Sequence, residues 1–485
     1  VTLTLLGLGP GEIDDLSRRA WRTLKQATRI YLRTERHNCV PCLPQGDSPY
    51  HSFDHLYESE PDFPAVYRAI VSQVMAAARA GDVVYAVPGD PLCGESTSLQ
   101  LLAAAQAEGI PVEIVHGISF VEPCLGLLGV DSLDGLQIFD GMSLATLHHP
   151  PINPDYPALL GQVYSREVAS EVKLTLMNQY PDDFAVTLLH GAGTDSAQVE
   201  RLPLYQIDRS PHIQHMTALF VPALGGMSSF EQFQEIIAHL RAPEGCPWDR
   251  EQTHLSLRKY LIEETYEVLE ALDNEDPAAL VGELGDLLLQ IVLHTQIAID
   301  DGEFRMSAVL QAVNQKMIAR HPHVWGDTKA GDAAQVVHNW EALKQKEHAE
   351  KGIRRDSVLD GVPGGLPALM QALEYQRKAA KVRFDWVRLD DVAAKVREEL
   401  DEILTATTDD DRAAEMGDLL FVLVNWARWL KIDPEEALRA TNRKFYRRFR
   451  YIEEQLAARG KTPAESTLEE MDALWNAAKT EAEAP

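Results

Sequence analysis

The chain has 485 residues, with 45 Lys and Arg against 74 Asp and Glu, a formal net charge of −29. That length exceeds what one hydrophobic core organises, so two or three domains are expected, each able to fold without covalent staples. The acidity argues against a nucleic-acid polymer as partner, because phosphate backbones call for concentrated Lys and Arg; it leaves room for a small anion bridged to carboxylates by a divalent cation.

Cysteines are few and odd in number (Cys39, Cys42, Cys93, Cys124, Cys246), and the first residues lack the basic-then-apolar layout of a secretory signal, so a cytoplasmic location is expected. No apolar run approaches the roughly 20 residues a membrane helix needs, and no membrane partner is expected. Cys39-Val-Pro-Cys42 beside His37 has the spacing of half a zinc site without a second half, and reads as two thiols around a turn.

In chain order, β-rich runs at Leu3–Gly7, Val83–Val87, Val112–Val115, Ala185–Leu189 and Ala218–Pro222 alternate with helical stretches, the pattern of α/β layers. Three of these runs end in glycine turns: Gly7-Leu-Gly-Pro-Gly11, Val87-Pro-Gly-Asp-Pro91 and His116-Gly-Ile-Ser119. Glycine turns at strand C-termini mark the ligand edge of an open α/β sheet. After Gly225 the β-rich runs vanish and helical periodicity continues to the end. The expected organisation is an α/β domain over 1–224, a helical domain over 225–350, a linker over 351–365 inside the polar stretch Glu347–Pro367, and a second helical domain over 366–485.

The helical half is an internal repeat. One copy carries Glu263, Glu264 and Glu267, then Glu283 and Asp286, then Lys316 and Arg320, then Trp340 and Lys344. The other carries Glu398, Glu399 and Glu402, then Glu415 and Asp418, then Lys444 and Arg448, then Trp475 and Lys479. At 100° per residue Glu264 falls on the apolar stripe Leu257, Leu261, Val268, Leu272, and Glu399 falls on the stripe Val392, Val396, Ile403. A carboxylate on an apolar stripe is costly unless paired or metal-bound. The next helix adds a second pair three residues apart, on one face. Oxygen ligands at this density, without His or Cys, suit Mg²⁺ or Mn²⁺. The Lys and Arg pairs have the spacing to hold adjacent phosphate oxygens or to form an ordinary solvated edge; each Trp could stack on a base or pack on the core. Cation-loaded carboxylates with phosphate-holding bases point to phosphoanhydride hydrolysis. His321 and His323 flank Pro322 and read as loop residues.

The run Cys246-Pro-Trp-Asp249, Glu263-Glu-Thr-Tyr-Glu267, Gly282-Glu-Leu-Gly-Asp286 and Arg320-His-Pro-His-Val324 resembles the MazG family, and the second copy matches its EExxE and ExxD elements. The resemblance implies all-α bundles in tandem that hydrolyse nucleoside triphosphates to monophosphate and pyrophosphate using Mg²⁺. It implies Glu264, Glu267, Glu283, Asp286, Glu399, Glu402, Glu415 and Asp418 as metal ligands, and Glu263 or Glu398 as the residue that orients the water; which copy works is left open. The order GLGPG, PGDP, HGIS resembles the tetrapyrrole (corrin and porphyrin) methylase family, an α/β fold of two subdomains. That resemblance implies Gly9, Pro10, Gly11, Pro88, Gly89, Asp90 and Ser119 near S-adenosylmethionine, and a second, methyltransferase activity. PGDP and HGISF depart from the more usual GHP or GSP and PGISS. The competing reading is a ligand sensor or methyltransferase whose helical half is a catalytically weak dimerisation module; half-bundles with long apolar stripes point to a homodimer in either case.

Overall fold

The computed structural model describes residues 1–44, 49–329, 331–350 and 356–481. They form two compact units, Val1–Leu310 and Gln311–Pro485.

The first unit opens with a parallel sheet of β1 (Leu3–Gly7), β2 (Ile30–Leu32), β3 (Tyr50–Ser52), β4 (Val83–Val87) and β5 (Val112–Val115), in the order β3-β2-β4-β1-β5. β1 and β4 are buried along their whole length, as a central parallel strand covered on both faces requires, and this is why they read as unbroken apolar runs. A second sheet follows, of β6 (Gln137–Asp140), β7 (Ala158–Gly161), β8 (Ala185–His190), β9 (Gln198–Pro203) and β10 (Thr217–Val221). Its order is β6-β7-β10-β8-β9, antiparallel except for the β6–β7 pair. Each sheet has its own apolar layer: Leu5, Val74, Tyr85 and Leu101 in the first, Leu160, Val172, Leu188 and Leu219 in the second. The α/β half is thus two subdomains, with all five expected strands present.

Beyond β10 the described secondary-structure elements are all helical. The carboxylate of Asp155 accepts from the backbone N–H groups of Ser228 and Ser229, and hydrogen bonding from these two serines, the Ser229 side chain foremost, holds it below its ordinary pKa. Ser229 then caps helix α1 (Phe230–Arg241) by accepting from the Gln232 N–H. Helices α2 (Arg258–Asp273) and α3 (Pro277–Asp300) pack against each other as an antiparallel pair joined by a three-residue turn. α3 corrects the expectation that no segment reaches membrane length: its 24 residues are long and apolar enough to span by length and composition. Glu283 and Asp286 in its second and third turns and its packing on α1 and α2 belong instead to a helical bundle.

Helix α4 (Met306–Arg320) crosses from the first unit into the second, which continues with α5 (Ala333–Glu350), α6 (Ala368–Lys381), α7 (Leu389–Thr405), α8 (Asp409–Trp429), α9 (Pro434–Ala457) and α10 (Leu468–Glu481). α5 runs to Glu350, so the polar stretch expected to link the copies is helical where it begins; residues 351–355 lie outside the described residues. From 356 to 366 the chain is turn and bend, and α6 starts after Pro367. α7 and α8 pack as closely as α2 and α3 do, so the repeat seen in sequence is a repeat of helix pairs. His323 lies in a one-turn helix, Pro322–Trp325, rather than a loop, because Pro at the first helical position restarts the helix it interrupts.

Candidate functional sites

In the first copy α2 places Glu264 and Glu267 one turn apart, and α3 brings Glu283 to them. Carboxylate oxygens of the three lie within 4.8 Å of one another. Burial, and then the neighbouring Glu267, push the Glu264 carboxyl above its ordinary pKa; burial, Glu267 and Asp286 do the same to Glu283. The cluster resists holding its full negative charge without a cation. Asp286 stands outside the tight trio but near enough for its charge to act on both. The stripe that carries Glu264 is only partly covered: Leu257 is buried, whereas Leu261 and Leu272 are exposed.

The second copy repeats the trio with Glu399, Glu402 and Glu415, again within 4.8 Å. Here the stripe is better covered, with Val392 fully buried, Glu399 only 4% exposed, and Val396 and Ile403 partly buried. Burial first, then Glu399 and Glu415, raise the pKa of Glu402. Asp418 lies one turn beyond Glu415 on α8 and outside the trio. The second copy also has a built-in cation. Lys395, one turn before Glu399, puts its Nζ 2.8 Å from Glu398 and 2.7 Å from Glu399, and hydrogen bonds to these two carboxylates raise its pKa. Counting back from Glu264, the first copy has Tyr260 at that position.

The basic and aromatic candidates divide. Arg320 is ion-paired with Glu347 at 2.7 Å, and Lys316 is exposed on α4. Trp340 has its ring 6.1 Å from His321, with Lys344 exposed one turn on. In the second copy the Arg448 guanidinium lies 5.5 Å over the Trp475 ring, and Phe445 packs 5.3 Å away on the same indole. Trp475 thereby joins the apolar cluster of Ile452, Leu456 and Leu474, so its ring packs on protein. Lys479 donates to Asn476, and Lys444 is exposed on α9.

Sequence reasoning missed a cavity of about 560 Å³ in the second unit. Tyr375, Phe384, Trp386 and Phe421 line it together with Gln376, Arg428 and Lys395. The i, i+4 spacing of Lys395 and Glu399 was the one signal available for it.

In the α/β half the glycine turns converge. Gly9 and Gly89 exchange backbone hydrogen bonds of 3.1 and 2.7 Å, with φ of +81° and +68° that a side chain would oppose. Asp90 accepts from the Gly117 N–H and from His116 Nδ1, joining the second turn to the third, and the Ser119 hydroxyl donates to Glu122. Pro10, Gly11 and Pro88 open onto a cleft of about 640 Å³, whose further lining includes Arg33, His37 and His215. Cys39 is buried and Cys42 exposed around a single 3-10 turn, with His37 Nδ1 3.1 Å from the Cys39 sulfur.

These sites coincide with known families. Residues 2–208 match the tetrapyrrole (corrin/porphyrin) methylases, residues 252–325 the MazG nucleotide pyrophosphohydrolase domain, and residues 366–445 phosphoribosyl-ATP pyrophosphohydrolase. The chain is 42% identical to the uncharacterized protein YabN of Bacillus subtilis (strain 168), over 98% of each chain. It is 44% identical to a nucleoside triphosphate pyrophosphohydrolase of Escherichia coli (strain K12), over 52% of this chain and 98% of that one. Among solved structures, uroporphyrin-III C-methyltransferase from Thermus thermophilus aligns at 20% identity and a TM-score of 0.37, over 46% of this chain and 92% of that one. The protein is a hydrolase of pyrophosphate bonds with an α/β domain in front. The chain belongs to the MazG nucleotide pyrophosphohydrolase family, its helical half preceded by a tetrapyrrole methylase domain.

Proposed function

We propose that the helical half hydrolyses nucleoside triphosphates to nucleoside monophosphate and pyrophosphate with Mg²⁺, and that the second copy is the main working site. The observation that carries this is the recurrence of three glutamate oxygens within 4.8 Å on two separate helix pairs. The trios fit a hard cation: oxygen donors only, with protonation favoured where no cation balances them. Glu399, Glu402 and Glu415 would hold the ion with Asp418 beside them, as Glu264, Glu267, Glu283 and Asp286 would in the first copy. A bound Mg²⁺ supplies charge neutralisation on the triphosphate and a more acidic water. Glu398 orients the attacking water, as Glu263 would in the first copy. Lys395 keeps Glu398 and Glu399 in place and adds positive charge beside the phosphates. Lys444 and Arg448, with Lys316 and Arg320 in the other copy, are the phosphate-side cations of this reading, and Lys479, Lys344 and Trp340 its remaining substrate contacts. The burial of Glu399 and the presence of Lys395 favour the second copy. The test is a panel of common and deaminated nucleoside triphosphates with Mg²⁺ or EDTA, with products resolved; diphosphate and phosphate, or no turnover across the panel, would refute it.

For the α/β half we propose S-adenosylmethionine binding by Gly9, Pro10, Gly11, Pro88, Gly89, Asp90 and Ser119. A Cβ added at Gly7 would stand 2.4 Å from the Gly89 carbonyl oxygen and 2.7 Å from the Gly117 nitrogen. Those are backbone atoms that cannot step aside, so Gly7→Ala should cost about 1–3 kcal/mol as an overpacking change. Its expected result in calorimetry is loss of S-adenosylhomocysteine binding with triphosphate hydrolysis retained; unchanged binding would count against the assignment.

A homodimer is part of the same reading. Val281, Leu284 and Leu288 on α3 and Ile262 and Tyr266 on α2 are exposed, more apolar surface than single chance residues provide. Light scattering should give twice the chain mass of 54.0 kDa. Val281→Glu with Leu284→Glu should return it toward the monomer.

A further inference from the structure

We infer that Cys39 and Cys42 form a reversible disulfide that loosens the first glycine turn of the α/β half, so that ligand binding at that turn depends on the redox state of the pair. The link to binding rests on the S-adenosylmethionine reading of the turn; the disulfide does not.

The residues Cys39-Val-Pro-Cys42 close a single turn, with the Cys42 N–H donating to the Cys39 carbonyl at 3.0 Å. A turn closed in this way holds its end Cα atoms within about 7 Å, and a disulfide spans Cα atoms about 4.4–6.8 Å apart. The two sulfurs can therefore join with little movement of the backbone. They differ in access, Cys42 being exposed and Cys39 only 1% exposed. Among the described residues only the two glutamate trios bring three ligand atoms within 4.8 Å, so His37 and the two thiols do not converge as a metal set.

The buried sulfur is connected to the glycine turn through His37. The Gly9 carbonyl, an acceptor only, lies 3.1 Å from His37 Nε2, so that nitrogen carries a proton. Burial holds His37 below its ordinary pKa and so neutral, which leaves Nδ1 as a bare acceptor. Its partner at 3.1 Å is the Cys39 thiol, which donates its S–H. Burial, and then the neighbouring Cys42, push that thiol up to about 12, so the S–H persists at neutral pH. The Gly9 carbonyl also accepts from the Gly89 N–H at 2.7 Å. Thiol, imidazole and two glycine turns are thus joined in one run of hydrogen bonds.

Oxidation breaks this run at its start. A disulfide sulfur has no proton to donate, so His37 Nδ1 loses its partner at a site only 9% exposed, which is unfavourable. His37 also lines the cleft of about 640 Å³, so its ring can turn toward solvent to regain a donor, and in doing so it releases Gly9. The oxidant is a small external disulfide such as that of glutathione. The Cys42 thiolate attacks it, its S–S bond breaks and one thiolate leaves. The Cys39 sulfur then attacks Cys42 Sγ, its proton passing to His37 Nδ1 and on to water, and the second thiolate leaves. Two cysteine thiols are oxidised and one external disulfide is reduced to two thiols.

The experiment equilibrates the full chain in glutathione buffers of graded ratio, blocks free thiols, and weighs the peptide that contains Cys39 and Cys42. Calorimetry then measures S-adenosylhomocysteine binding by the reduced and the oxidised protein. The expected peptide is lighter by two hydrogens under oxidising conditions and is restored by dithiothreitol. Affinity should be at least about tenfold weaker in the oxidised form, as the loss of a buried hydrogen-bond partner implies. Cys42→Ser, at an exposed position, should form no such bridge and bind S-adenosylhomocysteine equally under both conditions. His37→Gln should bind weakly in both states, because the connection to Gly9 is already cut. Free thiols across the whole range, or glutathione held on Cys42 without closure of the bridge, would overturn the inference. A bridge that forms with binding unchanged would overturn its coupling to the turn. A bridge that forms in a protein that never binds S-adenosylhomocysteine, even when reduced, would support the disulfide and refute the donor reading.

Discussion

Glu399→Gln is expected to lower triphosphate turnover by at least about 100-fold, with Glu264→Gln alone costing less than about tenfold. The substitution keeps the size of the side chain and removes one of three oxygens that meet within 4.8 Å. An amide oxygen is a weaker ligand for a hard cation than a carboxylate. The loss of charge stabilisation at a phosphoryl centre is worth several kcal/mol, of which about 2.7 kcal/mol already gives a hundredfold. The two copies differ in how firmly that oxygen is held. Glu399 is buried beside Val392 and gripped by Lys395, whereas Glu264 lies on a stripe whose Leu261 and Leu272 face outward and whose preceding turn offers Tyr260. The measurement is steady-state pyrophosphate release by the two single variants and the double variant, after circular dichroism shows each to be folded. Equal losses in the two single variants would mean that the copies share the work; loss only in Glu264→Gln would reverse the assignment.

Much of this site was legible from spacing. Glutamates at i and i+3 on one helix, and a partner on the next, must meet if the helices pair, and the repeated pattern made pairing of α2 with α3 and of α7 with α8 the simplest solution. Of the strands that were read correctly, β1, β4, β8 and β10 lie inside their sheets and their apolar runs are forced by burial, whereas β5 is a half-buried edge strand recognised by its β-branched residues Val112, Ile114 and Val115. The missed strands are short or polar. β2 and β3 have three residues each, and β9, Gln198 to Pro203, is a largely exposed edge. The aromatic cavity escaped notice because its walls come from α6, α7, α8 and an irregular segment, and periodicity within one helix says nothing about what four elements enclose. Trp475 shows the converse. Its turn spacing to Lys479 was real, but Phe445 and Arg448 occupy its faces, which only the packing of α9 on α10 could reveal.

Removing the divalent cation should abolish hydrolysis and destabilise the protein, with a pH dependence opposite to that of ordinary paired carboxylates. Burial and mutual repulsion raise the pKa values of Glu264, Glu283 and Glu402 above those of the unfolded chain. In the metal-free state the folded protein therefore binds protons more tightly than the unfolded chain does. By linkage, its stability is greatest at or below the ordinary glutamate range and falls as pH rises through the raised values. A cation replaces those protons, so it binds the folded state better as pH rises and stabilises it by mass action. At a cation concentration about 100 times the dissociation constant the gain is about 2.7 kcal/mol, on the order of 5–10 °C in melting temperature for a unit of this size. Calorimetric scans in EDTA and in Mg²⁺ should diverge progressively between pH 5 and pH 8. Glu264→Gln combined with Glu399→Gln should narrow the gap, because each amide removes a repelling charge and a ligand together. Curves that stay parallel across this range would mean that the cation binds elsewhere than at the two glutamate trios.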